Sequence, residues 1–215
     1  MKYINIIAAG GRGSRFGSQT PKQFLSLGGK PVLHHAADRL IRALAGALTV
    51  VVIDPAWADM APPGAILAAP GHSRWESVRN ALDACSAEPA DVILVHDGAR
   101  PLPDPAMIRR VADACREHQG AIPVVPVTDS LRRVDGTPAD RSQFRAVQTP
   151  QAFRADLLRR AYALPEQPDF TDDASVMSAA GFTDIALVDG DPRNLKITLP
   201  FDLRIAELYL DGADD

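Results

Sequence analysis

Short runs of apolar residues alternate along the chain with longer segments of helical periodicity. Residues 3–9 form the first run, which is rich in β-branched residues and ends at glycine, as a strand buried on both faces does. Apolar residues recur at helical spacing over 31–44, and a second apolar run follows at 48–53. Strand, helix and strand in this order predict a βαβ unit.

The same alternation continues beyond this unit. It predicts strands at 65–69, 92–95, 121–125 and 185–188, and helices at 74–85, 105–118, 155–163, 173–180 and 201–210. We therefore expect an α/β fold in one domain over 1–215, with a mainly parallel, twisted sheet covered by helices on both faces. Ligands of such sheets bind at the carboxyl ends of the strands. Residues 128–150 break the alternation with turn-rich, charged sequence, which predicts a protruding arm.

Composition excludes several classes of function. The chain has 215 residues, 46% of them hydrophobic, and a formal net charge of −4, so no broad basic surface for nucleic acid is expected. Cys85 and Cys115 lie in helical patterns and are expected to be buried thiols rather than disulfide partners. No segment approaches the roughly 20 apolar residues of a membrane span, so we expect a cytoplasmic protein with no membrane contact.

A glycine-rich, cationic loop follows the first predicted strand. Residues 8–23 read AAGGRGSRFGSQTPKQ and contain no acidic residue. A dinucleotide fingerprint fails because Phe16 stands where the third glycine is required, and a P-loop fails because no GK precedes a Ser or Thr. Glycine lets backbone N–H groups approach an anion closely, so a small anion is the expected ligand. A loop that is glycine-rich only because it turns tightly is the alternative, but it leaves the cations unexplained.

Two further polar clusters are candidates for the same site. HDGARP, at 96–101, follows a predicted strand and places Asp97 three residues before Arg100. A carboxylate suits a metal or sugar contact and a guanidinium suits a phosphate, although the pair could equally be a surface ion pair. NLKIT, at 194–198, places Lys196 inside an apolar segment that predicts a strand, where its ammonium either reaches solvent or meets an anion.

The motifs AGGRGSRFG, PKQ, GHSRWESV, HDGARP, DRSQFRAVQTPQ, TDDAS and NLKIT occur in this order over almost the whole chain. This set resembles the 2-C-methyl-D-erythritol 4-phosphate cytidylyltransferases. The resemblance implies a Rossmann-like fold of the nucleotide-diphospho-sugar transferase type and a homodimer joined through the arm. It also implies the Mg²⁺-dependent reaction of CTP with methylerythritol phosphate in the non-mevalonate isoprenoid pathway, with Mg²⁺ replaceable by another divalent cation.

The resemblance also implies roles for individual residues. The cations expected to act on the reacting phosphates are Arg15, Lys22 and Lys196. CTP contacts are expected from Ala9, Gly10, Gly11, Gly13, Gly71, His72, Ser77 and Asp97. Contacts to the second substrate are expected from Arg100, Ser130, Arg141, Thr171 and Asp172, with Arg141 supplied by the partner subunit. Asp97 is the candidate metal ligand, with Mg²⁺ held mostly by the CTP phosphates.

Three positions depart from the family pattern. Arg145 replaces a usual aromatic residue, His72 replaces a common acid, and Ser130 replaces a frequent threonine while keeping the hydroxyl. A ribitol 5-phosphate cytidylyltransferase remains the alternative within the enzyme class, although TDDAS together with HDGARP favours methylerythritol phosphate. A non-catalytic nucleotide-binding module is the alternative outside that class. His96 is expected to anchor the loop that directs Asp97 rather than to transfer a proton.

Overall fold

The computed structural model describes residues 2–11, 16 and 20–211. The strands are β1 Tyr3–Ala8, β2 Ser26–Leu27, β3 Lys30–Pro31, β4 Leu48–Val52, β5 Ile66–Ala68, β6 Val92–Asp97, β7 Gly120–Pro126, β8 Leu131–Arg132, β9 Pro138–Ala139, β10 Arg145–Val147, β11 Gln151–Arg154 and β12 Ile185–Asp189. The α-helices are α1 Val32–Ala43, α2 Arg74–Ala84, α3 Pro105–Ala114, α4 Ala155–Ala161, α5 Asp173–Ala179 and α6 Pro200–Asp211. Shorter 3-10 turns lie at Lys22–Phe24, Pro55–Met60 and Arg141–Gln143.

One eight-stranded sheet organises these elements. Its hydrogen-bonded order is β10–β7–β11–β6–β1–β4–β5, and β12 also pairs with β7. Within β7, residues 124–126 pair with β10, residues 120–121 with β11 and residues 120–124 with β12. The pairs β1·β4, β1·β6, β4·β5 and β7·β12 are parallel, whereas β10 and β11 run antiparallel to their neighbours. The predicted α/β fold with a mainly parallel sheet is therefore confirmed, and the sheet is mixed because β11 lies between β6 and β7.

Helices cover both faces of the sheet, as predicted. Successive residues of β1 point to opposite faces, so that Ile6 packs in one core and Ile7 in the other. The first core joins the sheet to α2, α4 and α5 through residues such as Val78, Leu158 and Val176. The second core joins it to α1 and α3. This two-sided burial explains why the central strands are almost continuously apolar. Within the part of the chain described, no helix is long and apolar enough to cross a membrane.

Two sequence predictions are wrong in detail. The predicted strand around Lys196 is a loop, which the N–H of Ile197 ties to the carbonyl of Ala99 in the segment after β6. The predicted excursion over 128–150 is shorter than expected, since β10 returns to the main sheet at Arg145. Between Thr128 and Arg145 the chain is mostly exposed and carries the separate β8–β9 hairpin. That this segment protrudes as an arm toward a partner subunit stays a prediction.

Candidate active site

A cleft of about 740 Å³ opens where β1, β4, β5 and β6 end. This is the edge of the sheet at which ligands of open parallel sheets bind. The described residues that line it are Ala8, Ala9, Gly10, Gly11, Lys22, Gln23, Asp54, Pro70, Gly71, His72, Ser73, Arg74, Ser77, Asp97, Ala99, Lys196 and Thr198. Three of the predicted clusters therefore meet in one cavity.

The glycine loop forms one wall of the cleft. A Cβ atom added to Gly10 would lie 2.5 Å from Cβ of Pro70, so only glycine permits this close approach of the two loops. Gln23 is buried, and its Nε2 donates to the carbonyl oxygens of Ala9 at 2.6 Å and Gly11 at 2.8 Å. This side chain holds the start of the loop against the turn that carries Lys22. The predicted residues Gly13 and Arg15 lie outside the described residues.

The opposite wall is the turn before α2. Ser73 caps this helix by accepting from the N–H of Glu76 at 3.0 Å, and the Glu76 carboxylate accepts from the N–H of His72 at 2.6 Å. The Ser77 hydroxyl accepts from the N–H of Gly71 at 3.0 Å. Helix capping thus places the predicted CTP-binding residues Gly71, His72 and Ser77 side by side.

The Asp97 carboxylate is the electrostatic centre of the cleft. Its Oδ2 lies 2.8 Å from Lys196 Nζ and 3.7 Å from Arg100 Nε, and its Oδ1 lies 3.4 Å from Arg74 Nε. Burial alone would raise the pKa of Asp97, but the charges of the three cations outweigh it and hold that pKa well below its ordinary value. Asp97 is therefore ionised throughout the neutral range.

Arg74 is a cleft residue that the sequence analysis did not identify. Its Nη1 and Nη2 donate to the two oxygens of Asp173 at 2.9 and 2.6 Å, and Asp173 is fully buried. The hydroxyl of Tyr162 donates to the same carboxylate at 2.6 Å. Burial and the charge of Asp173 raise the pKa of Tyr162 well above its ordinary value, so the hydroxyl keeps its proton. Since Arg74 and Asp173 are 99 residues apart, no local sequence pattern indicates this pair.

The loop after β12 carries Lys196 over Asp97. Asn194 is fully buried, and its Nδ2 donates to the carbonyl oxygen of Thr149 at 2.8 Å. The backbone carbonyl oxygen of Asn194 accepts from Arg100 Nη1 at 2.8 Å, and the N–H of Ile197 donates to the backbone carbonyl of Ala99. These contacts tie the loop to the segment that follows β6, which places the Lys196 ammonium beside the Asp97 carboxylate without a strand.

His96 is fully buried behind Asp97. Its Nε2 lies 3.0 Å from the carbonyl oxygen of Arg100, which can only accept, so Nε2 carries the hydrogen. Its Nδ1 then accepts from the Thr149 hydroxyl at 3.1 Å, and that hydroxyl accepts from the N–H of Asp97 at 3.0 Å. Burial lowers the pKa of His96 to about 4. A neutral imidazole thus holds together the backbone on both sides of Asp97.

The residues predicted for the second substrate are dispersed. Arg100 extends from Asp97 to the carbonyl of Asn194 and is not among the described residues of the cleft wall. Arg141 donates to the carbonyl of Thr128 and lines a second cavity of about 430 Å³ with Arg145, in the segment that also contains Ser130.

Thr171 and Asp172 are also absent from the described cleft wall. Asp172 caps α5 by accepting from the N–H of Ser175 at 2.9 Å, and it accepts from Gln151 Nε2 at 2.9 Å. Its carboxylate is therefore committed to the start of a helix. The structure does not bring the predicted substrate contacts Thr171 and Asp172 together with the cleft.

Comparison with known proteins gives one consistent family. The family model for 2-C-methyl-D-erythritol 4-phosphate cytidylyltransferase matches residues 3–212. The curated protein of that name from Rubrobacter xylanophilus is 42% identical over 96% of this chain and 94% of its own length. The one from Bacteroides thetaiotaomicron is 38% identical over 98% of this chain and 100% of its own length. The crystal structure of the Thermus thermophilus protein of the same name has a TM-score of 0.81 at 34% identity, covering 98% of this chain and 100% of that one.

The buried His96 predicts an acid-sensitive stability. Its pKa is about 4 in the folded protein against an ordinary 6.5, so the unfolded chain binds this proton more readily. The free energy of unfolding should therefore fall as the pH drops from about 6.5 to 4, with a slope that approaches about 1.4 kcal/mol per pH unit. Urea unfolding measured across this range should show that His96→Gln, which keeps an N–H donor for the Arg100 carbonyl, loses this part of the slope. An unchanged slope in a folded variant contradicts the assignment.

Proposed function

The chain belongs to the 2-C-methyl-D-erythritol 4-phosphate cytidylyltransferase family, and we infer from this membership and from its cleft that it transfers the cytidylyl group of CTP to 2-C-methyl-D-erythritol 4-phosphate. The products are 4-diphosphocytidyl-2-C-methyl-D-erythritol and pyrophosphate, and the reaction belongs to the non-mevalonate route to isoprenoids. One observation carries the proposal for the site. Lys22 and Lys196 line the same cleft as the backbone of Ala9, Gly10 and Gly71.

The reaction needs charge and position more than a proton acceptor. An oxygen of the substrate phosphate attacks the α-phosphorus of CTP, the bond to the β-phosphate oxygen breaks, and pyrophosphate leaves with those electrons. The second pKa of a phosphate monoester is about 6, so the attacking group is already mostly dianionic at neutral pH. Cations that meet the charge developing on the α-phosphate and the leaving group then lower the barrier.

Lys22 and Lys196 are the described residues that fit this task. Both line the cleft, and the Lys196 side chain is 41% exposed, which leaves its ammonium accessible to a ligand. Arg15 is proposed as a third cation on the family pattern, and it lies outside the described residues. The backbone of Ala9, Gly10 and Gly11 on one wall and of Gly71 and His72 on the other suits the cytosine base. The Ser77 hydroxyl lies on the second wall, where it accepts from the N–H of Gly71.

Mg²⁺, or another divalent cation, is the proposed cofactor, and the residues present fit a metal held mainly by the nucleotide. Within residues 2–11, 16 and 20–211, no three His, Cys, Asp or Glu side chains form a metal-binding group. Mg²⁺ is commonly bound by one or two carboxylates together with substrate phosphates, and Asp97 supplies an ionised carboxylate in the cleft. When bound, the metal would add positive charge at the triphosphate.

A homodimer is the proposed assembly. Arg141 and Arg145 line the second cavity, in a segment that is mostly exposed, and on the family pattern Arg141 reaches the alcohol phosphate bound by the partner subunit. A guanidinium suits the two oxygens of a phosphate better than an ammonium does. We also expect the enzyme to work in the cytoplasm, where CTP is available.

The activity is tested by pyrophosphate release from CTP with different polyol phosphates. Methylerythritol phosphate should support turnover at a kcat/KM at least about a hundredfold above that for ribitol 5-phosphate, because a site shaped for one polyol leaves polar groups unpaired with another. Preference for ribitol 5-phosphate would reassign the substrate. Binding of CTP without pyrophosphate release, measured by calorimetry, would indicate a non-catalytic module.

Replacing a cleft lysine should slow the reaction far more than it weakens CTP binding. Lys22→Ala and Lys196→Ala are each expected to lower kcat by about a hundredfold or more, because the ammonium acts where charge develops. Lys30→Ala is the matched control, since the Lys30 ammonium pairs with Asp38 and does not line the cleft. Steady-state kinetics at saturating substrates decides the matter. A kcat within about threefold of the parent for either cleft variant contradicts the assigned role.

A site shared between subunits should allow two inactive variants to complement each other. Arg141→Ala removes the proposed contribution of one subunit, and Lys22→Ala removes that of the other. After subunit exchange, one site of the heterodimer contains both residues, so roughly a quarter of the parent activity is expected when half of the dimers are mixed. Exchange is verified by native mass spectrometry of differently tagged chains. Verified exchange without recovery of activity would place Arg141 in its own subunit's site or in none.

A further inference from the structure

The Arg74–Asp173 ion pair has no part in the reaction as described above. Asp173 is fully buried, and the bidentate contact with Arg74 fixes the two side chains in one geometry. A buried ion pair contributes little net stability, because removing two charges from water offsets most of their attraction. Stability alone therefore gives a weak reason for this pair, and the place of Arg74 in the cleft wall suggests another.

The geometry relates the pair directly to Asp97. Arg74 uses both terminal nitrogens on Asp173, which leaves Nε directed at Asp97 Oδ1, 3.4 Å away. A guanidinium is planar and rigid, so holding its two terminal nitrogens also fixes the direction of its Nε–H. Arg74 is itself part of the cleft wall.

Tyr162 contacts both Asp173 and the helix that carries Arg74. Its hydroxyl donates to Asp173 Oδ1, the oxygen that also accepts from Arg74 Nη1. Its ring stacks on Trp75, the next residue of α2, with ring centroids 5.8 Å apart. Tyr162, which directly follows α4, thus contacts both the Asp173 carboxylate and the start of the helix that carries Arg74.

We propose that Arg74 is a positioning residue for Asp97, held in place by Asp173 and Tyr162. Among the described cations Lys196 lies nearest to Asp97, and it must turn to the substrate phosphates if it acts on them. Arg74 and Arg100 then stabilise the ionised carboxylate of Asp97 and keep it oriented toward the part of CTP that carries the ribose and the metal. This inference rests on the proposed function, because it assumes that Asp97 faces the nucleotide.

Two variants weaken the support of Arg74 without substituting a described residue of the cleft wall, and a third changes Arg74 itself. Asp173→Asn keeps the shape of the side chain but removes its charge, and Tyr162→Phe keeps the ring stack but removes the hydroxyl. Arg74→Lys keeps the positive charge but loses the two-pronged contact. Arg79→Ala is the matched control, because Arg79 lies on the same helix, 5.0 Å over the Trp75 ring, and is exposed.

Two readouts separate positioning from a structural role. The first is steady-state kinetics, in which changes in the KM for CTP and in the Mg²⁺ concentration at half-maximal rate are compared with any change in the KM for methylerythritol phosphate. The second is the affinity for Mn²⁺ in the presence of CTP, followed by electron paramagnetic resonance without turnover. Asp173→Asn and Arg74→Lys should weaken the Mn²⁺ affinity and raise the Mg²⁺ requirement by about tenfold, and Tyr162→Phe by about threefold. The KM for methylerythritol phosphate and all values for Arg79→Ala should stay within about twofold of the parent.

Folded variants with a lower melting temperature but a parental metal affinity and KM for CTP would overturn the proposal, leaving the pair as a tie between helices. An equal loss in Arg79→Ala would overturn it as well. If Asp173→Asn does not fold, Tyr162→Phe decides, because its volume and ring stack are retained. If the parent itself makes no pyrophosphate from CTP, the proposed function fails, whereas Mn²⁺ binding with CTP still tests the support of Asp97.

Discussion

Asp97 carries its negative charge at a buried position, and an ionised carboxylate is stable there only when cations lie close to it. Those cations come from elements that are distant in the sequence. Arg74 begins α2, Arg100 follows β6, and Lys196 lies in the loop after β12. Neutralisation of Asp97 therefore depends on the packing of the helices and loops on the sheet, so the charge arrangement of the cleft is a product of the tertiary fold.

Much of the fold and part of the site could be predicted from the sequence. Runs of β-branched residues identified the parallel strands because these strands are buried on both faces, and the site followed because loops at the carboxyl ends of such strands converge. Lys22, Asp97 and Lys196 do meet in the cleft. The segment around Lys196 could not be recognised as a loop, because its apolar pattern resembles a strand. Ile197 instead fills a small core beside α6, so that its apolar side chain is buried without a strand.

Neighbouring acids in the TDDAS motif show a second limit of sequence reasoning. Asp172 and Asp173 stand together in the sequence, yet the start of α5 turns the first toward the helix backbone and the second into the core. The partner of Asp173 is Arg74, and its role depends on a contact between α2 and α5 that no local periodicity encodes. The two residues are of the same type, and their different positions at the start of α5 make Asp172 a helix cap and Asp173 a buried counter-ion of Arg74.

The Lys196–Asp97 contact also sets a condition on what the cleft can hold. The Lys196 ammonium has the Asp97 carboxylate 2.8 Å away, so an incoming anion must compete with an internal one. Attraction between charges grows with the charge of the ligand, and a triphosphate therefore competes better than a monophosphate of the same base. On the proposed function, the internal carboxylate therefore favours nucleotides that carry more negative charge, whatever their base.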